Sequence, residues 1–130
     1  MLLAKHIAIS FVDAINSQDM EALNTLMGDK HIFVDAQGNF YQGCTQLRQA
    51  WREFFRSFPN YKMYVEQIIE NDNMVVLIGC ASGDYSACPK DDETWHLPTI
   101  WTAKVEGTTV QEWRMYADTS SIGNAMHRYN

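Results

Sequence analysis

A change of period at Pro59 divides the chain and limits what it can become. Upstream, Leu47, Ala50, Trp51, Phe54, Phe55 and Phe58 fall at intervals of three and four, one stripe of a helix that a Thr45 cap opens and Pro59 stops. Downstream, the residues read as strands: Tyr61 to Glu70, an Asn71-Asp72-Asn73 turn, and Met74 to Gly83, which pair as a hairpin. A loop containing Pro89-Lys90-Asp91-Asp92 leads to a second pair, Thr94 to Val105 and Thr109 to Thr119, joined at Glu106-Gly107. Helices segregated from a run of antiparallel strands predict an α+β fold, in which helices cover the apolar face of one curved sheet.

The N-terminal part adds two helices and a strand. Leu3, Ile7, Phe11, Val12 and Ile15 are spaced for an amphipathic helix with Lys5, Asp13 and Asn16 toward water, broken at Asn16 to Asp19. Asp19 caps a short helix carrying Leu23, Leu26 and Met27, which Gly28 stops. From Lys30 to Asp35 the pattern alternates, so His31, Phe33 and Asp35 share one strand face while Ile32 and Val34 share the other. Gln37-Gly38-Asn39 and Gly43 read as a turn-rich connection to the aromatic helix.

A chain of 130 residues fits one domain, residues 1–130, and buries roughly two thirds of its unfolded surface, enough for a core without metal or disulfide staples. The net charge of -6 opposes a nucleic-acid backbone or an anionic bilayer as partner. Cys44, Cys80 and Cys88 form no C-x-x-C pair, so a reducing, cytoplasmic setting fits better than a disulfide framework. Met1 to Ala4 is too short for a signal-peptide core, and the apolar run Met74 to Ala81 falls far short of the roughly 20 residues of a membrane helix. No G-x-S-x-G elbow, phosphate-binding glycine loop or dinucleotide fingerprint is present, and His6, His31, His96 and His127 lack ligand spacing. The expectation is no cofactor and no metal, with Asp91-Asp92-Glu93 a solvated loop.

The order of elements, with Phe11-Val12-Asp13-Ala14-Ile15-Asn16, Asp19 and Leu23, Val34-Asp35, Gly38 and Gly43, the Trp51 to Phe55 helix and Glu112 to Asp118, resembles the nuclear transport factor 2-like superfamily, especially its SnoaL-like branch. The resemblance spans nearly the whole chain. It implies a cystatin-like α+β roll: a cone-shaped antiparallel sheet wrapped around a long helix, here expected to be the Trp51 helix, open at one end into an apolar pocket, and a homodimer formed through the outer sheet face. Relatives include ketosteroid isomerase, polyketide cyclases, limonene epoxide hydrolase and members that only bind or assemble, so the fold does not fix a reaction.

Carried over residue by residue, Asp35 matches the isomerase's general base at the end of the first strand. The isomerase's oxyanion-hole tyrosine and aspartic acid correspond to Phe11 and Trp101, the first with no donor and the second with one donor of fixed direction. Where the epoxide hydrolase has its catalytic aspartate in the last strand, this chain has Met115, and alternation places Asp118 on the outer side with Arg114 and Tyr116.

Two readings of each candidate stand side by side. Asp35 is either a general base in an aromatic cavity or a strand-end acid that caps the turn before Gly38. His31 shares its face and is either its acid/base partner or, as the plainer expectation, a rim or surface histidine. Phe11, Phe33, Trp51, Phe55, Trp101, Trp113 and Met115 either line a pocket for a small apolar or aromatic molecule or fill the core. His96 belongs on the outer face, and Cys80 reads as a buried, inert thiol. The functional expectation is a small-molecule-binding domain with no assigned reaction, with a cofactor-independent lyase, isomerase or cyclase using Asp35 as the alternative.

Overall fold

The computed structural model describes residues 3–83 and 95–119. Helix α1 (Ala4–Ser17) buries Ile7, Ala8, Phe11, Val12, Ala14 and Ile15 and ends on Gln18 in the left-handed conformation. Its N-cap, Leu3, offers no side-chain oxygen. Instead the Glu70 carboxylate, from a distant strand, accepts the Lys5 N–H at 2.8 Å, which satisfies a first-turn donor and places negative charge at the helix N-terminus. Helix α2 (Met20–Leu26) is capped by Asp19, whose carboxylate accepts the Ala22 N–H at 3.0 Å.

Strand β1 (Met27–Val34) follows with no loop, because Met27 is already extended at the end of α2. Gly28 is therefore a strand residue and not the helix stop. Strand β2 (Phe40–Gln42) lies within the stretch read as a plain connection and pairs antiparallel with β1. Helix α3 (Cys44–Ser57) begins two residues earlier than a Thr45 cap would set it. Gly43, at φ 108, makes the entry, a backbone conformation that favours glycine. The helix ends at Ser57, just before Phe58 and Pro59. Ala50, assigned to its apolar stripe, faces solvent.

Strands β3 (Lys62–Asn71), β4 (Met74–Gly83), β5 (Trp95–Glu106) and β6 (Thr109–Tyr116) complete a six-stranded sheet of order β2-β1-β6-β5-β4-β3. The β3–β4 hairpin forms with Asn71 opposite Met74. The sheet is not wholly antiparallel: β1 and β6 run parallel, since the meander β3 to β6 returns to β1 from the far side.

Register shifts in β1, β3 and at Lys104/Val105 curl the sheet. At the β3 shift the backbones close in so far that a Cβ on Gly79 would collide with the Tyr64 carbonyl, and only glycine fits. The concave face carries Leu77 and Ala81 of β4, Leu97, Thr99, Trp101 and Ala103 of β5 and Trp113 of β6, all buried.

The helix this face wraps is α1, which packs on β3, β4, β5 and β6. The Trp51 helix, α3, stands at the other end against α2, β1 and β2. The reason lies in their stripes: α1 buries six side chains, whereas α3 buries only Leu47 and Phe55 and leaves Trp51 and Phe54 half-exposed.

Candidate functional site

Concave-face residues of β1 separate into a rim and an interior. At the rim Asp35 follows the strand, half-buried. Its Oδ1 accepts the backbone N–H groups of Gln37 (3.0 Å) and Asn39 (2.8 Å), and its Oδ2 accepts Asn39 Nδ2 (3.1 Å) and, more loosely, the Tyr41 hydroxyl (3.4 Å). Main-chain bonds between Asp35 and Asn39 and between Gly38 and Asp35 close the same turn. An ionised carboxylate has about four acceptor positions, and all four are engaged. Burial and the neighbouring Asp35 charge raise the Tyr41 phenol above its usual value.

Beside this turn lies a set of rings. Phe33 stacks on Tyr41 with centroids 6.1 Å apart and meets Trp51 of α3 at 6.1 Å. The parallel pairing of Phe33 with Trp113 brings Met115, two residues on, to the level of Asp35 on the same face. Phe33, Trp51 and Met115 are half-buried and pack against the core.

Further in, the remaining predicted lining is sealed. Phe11, Phe55, Trp101 and Trp113 are buried side chains of the hydrophobic core. Phe11 contacts Trp113 (4.6 Å) and Trp51 (6.5 Å). The Trp101 indole hydrogen-bonds the buried Tyr61 hydroxyl; an indole only donates, so the one donor at that position serves the core.

His31 departs most from expectation: it is neither on the surface nor at the rim but 1% exposed. β1 swings away from β6 between Met27, which pairs with Val110, and Ile32, which pairs with Glu112. The imidazole fills the gap, Nδ1–H donating to the Val110 carbonyl at 2.6 Å while the ring stacks on Phe11 at 5.7 Å. Nε2 is buried and has no hydrogen-bond partner among the described residues. Loss of hydration holds the imidazole below its ordinary pKa, with the Val110 bond and the Glu112 charge working against that shift. Sequence alternation gave the direction of the side chain; nothing in it announced the strand irregularity that the ring repairs.

The outer face matches the alternation. His96, Ile100 and Tyr116 are exposed there, and Arg114 lies over the Tyr116 ring at 5.9 Å. Cys80 shares this face and is half-exposed instead of buried, because its parity in β4 is that of Ile78 and Ser82 and not of Leu77 and Ala81. Asp118 lies exposed beyond β6. Two surface grooves among the described residues lie elsewhere; the one of about 310 Å³ runs between α1 and β3, past Ile9, Asp13, Asn16 and Ile68. No group of three or more potential metal ligands occurs among the described residues, and none of their helices is long and apolar enough to cross a membrane. The Trp95 side chain, Cys88, the acidic run 91–93 and His127 lie outside the described residues.

A curled sheet with a helix in its hollow and a half-open ring cluster at one end defines a cone-shaped α+β roll. Residues 8–114 match the SnoaL-like domain model, and the chain belongs to that family. Among solved structures it is similar to a protein from Shewanella denitrificans OS-217 described as a SnoaL-like polyketide cyclase (14% identity, 96% of this chain and 97% of that one, TM-score 0.81). It is similar also to an LEH-like epoxide hydrolase of M. tuberculosis (13%, 96% and 90%, TM-score 0.80). A third likeness is to a protein of ketosteroid isomerase-like fold from Catenulispora acidiphila DSM 44928, in complex with trimethylamine (17%, 89% and 88%, TM-score 0.78). At these identities the likeness establishes the fold. The chain matches no curated protein.

Proposed function

We propose that this SnoaL-like domain binds a small apolar or aromatic molecule against Phe33, Trp51 and Met115, without a dedicated reaction. The observation that carries the reading is the half-exposed ring cluster, continuous with the core on the concave face and edged by the polar Asp35 turn. A guest bound there raises the melting temperature by an amount that grows with the logarithm of its concentration above the dissociation constant, and Trp51→Ala removes that shift. Toluene titrated against both proteins in a thermal-shift assay tests this; an unchanged melting temperature at saturating toluene rejects the reading.

A second reading, a cofactor-independent lyase, isomerase or cyclase with Asp35 as general base, draws support from the Tyr41 hydroxyl 3.4 Å from Asp35 Oδ2, a second proton-bearing group beside the acid. Against it stand the engaged lone pairs of Asp35 and the core role of Trp101.

The outer sheet face is the natural seat of a second copy. Tyr64, Ile69, Ile100 and Tyr116 on that face are 52%, 53%, 39% and 47% exposed, large apolar side chains that a second copy would cover. Sedimentation velocity is expected to give a dimer that Ile100→Lys converts to a monomer. A wild-type protein that stays monomeric at high concentration removes the dimer. The free thiols of Cys44 and Cys80 suit the cytoplasm, and recovery of the protein in an extracellular or membrane fraction would argue against that location.

A further inference from the structure

Inside the cone nearly every described polar side chain has its hydrogen bonds made. Thr99 Oγ1 donates to the Leu97 carbonyl at 2.9 Å, Trp101 bonds Tyr61, and Asn16 holds both the N–H and the carbonyl of Met63 at 2.8 and 2.9 Å. Two buried side-chain nitrogens have no partner among the described residues. One, Arg114 Nε, belongs to the outer face, where Arg114 pairs across from Thr102. The other is His31 Nε2.

The chemistry of that nitrogen follows from its neighbour. A neutral imidazole carries one N–H, and Val110 holds it on Nδ1, so Nε2 presents a lone pair and can only accept. A buried acceptor without a donor is unfavourable, and a guest that supplies one gains what the apo protein lacks. The position suits a guest at the rim. Phe33 lies two residues along the same strand face, about 7 Å away by strand geometry. Phe11 contacts both the His31 ring and Trp51, and so links the bare nitrogen's residue to the ring cluster.

We propose that His31 Nε2 is the hydrogen-bond acceptor that selects the guest, and that the guest class is a small aromatic or apolar compound carrying a hydroxyl directed inward, as a phenol does. This rests on the ring cluster being the binding face. A site that hydrogen-bonds a substrate hydroxyl discriminates against the analogue lacking it, whereas a purely apolar wall does not.

The test uses the intact protein labelled with 15N-histidine, with phenol and toluene as probes of nearly equal shape. Phenol is expected to move the Nε2 resonance of His31 upfield and to bind about tenfold more tightly than toluene. His31→Phe is expected to keep toluene binding and erase the preference. Toluene binding as tightly as phenol, or an Nε2 resonance unmoved at saturating phenol, overturns this proposal and leaves the binding face standing. Binding of neither probe overturns both. If His31→Phe does not fold, the wild-type resonance and the affinity ratio decide alone.

Discussion

Asp35 and His31 stand four positions apart on one face of one strand, and the protein uses their polarity in opposite ways. The acid follows β1 at the half-exposed rim, where two main-chain N–H groups, an amide and a phenol fill its acceptor sites. The imidazole sits among buried rings with one nitrogen bonded and the other bare. An acid at a strand end beside a hollow attracts a catalytic interpretation, yet its hydrogen bonds make it foremost the organiser of a turn. Unused hydrogen-bonding capacity lies inward, at a residue whose position is set by a strand irregularity. Rim and interior should therefore fail differently when altered.

The largest difference is expected between two tryptophans. Trp113, 1% exposed and in contact with Phe11, anchors the interior, and Trp113→Ala is expected to cost about 3–5 kcal/mol, as for other buried large-to-alanine changes. Trp51 is half-exposed, so Trp51→Ala is expected to cost about 1–2 kcal/mol while abolishing toluene binding. Urea unfolding of the three proteins measures both. Equal losses would erase the distinction between a rim that binds and an interior that supports.

Much of this division was legible in the residue pattern. Alternation put His31 and Phe33 on the concave side and Arg114 and Tyr116 on the other, because a period of two survives wherever a strand is regular. Asp19 announced itself as a cap by residue type and place. What stayed hidden depends on contacts between distant segments. Glu70 caps α1 from 65 residues away, and the Gly43 entry moves the cap two positions ahead of Thr45 through a backbone angle. α1, not α3, fills the hollow because its stripe buries six side chains where that of α3 buries two. The ring set also divided along a line no spacing reveals: Phe11, Phe55, Trp101 and Trp113 entered the core, while Phe33, Trp51 and Met115 kept an open side.

Acidification sharpens the comparison further. Burial holds the folded pKa of His31 below the ordinary imidazole value that the unfolded chain retains. Between those two values the unfolded chain binds a proton that the folded protein refuses, so stability falls as pH drops through that window and is insensitive to His31 above it. The slope from one such group approaches about 1.4 kcal/mol per pH unit at most. Unfolding midpoints of wild type and His31→Phe from pH 8 to roughly pH 4.5 isolate this contribution. Parallel curves would mean that His31 takes up its proton as readily in the folded protein as in the unfolded chain.

The smallest effect on folding is expected at Asp35. In Asp35→Asn one oxygen still accepts the Gln37 and Asn39 N–H groups, while the new amide faces two donors, Asn39 Nδ2 and the Tyr41 hydroxyl. The hydroxyl can rotate to accept, and water reaches this half-buried turn, so the loss should be near 1 kcal/mol. That mildness makes the variant decisive between the two functional readings. A folded Asp35→Asn protein that still gains stability with toluene, and still prefers phenol, places recognition on the rings and His31 and leaves Asp35 a turn residue. If a substrate turned over by the wild type is left unchanged by this folded variant, the carboxylate moves a proton despite its four donors, and the Tyr41 contact becomes the geometry to examine next.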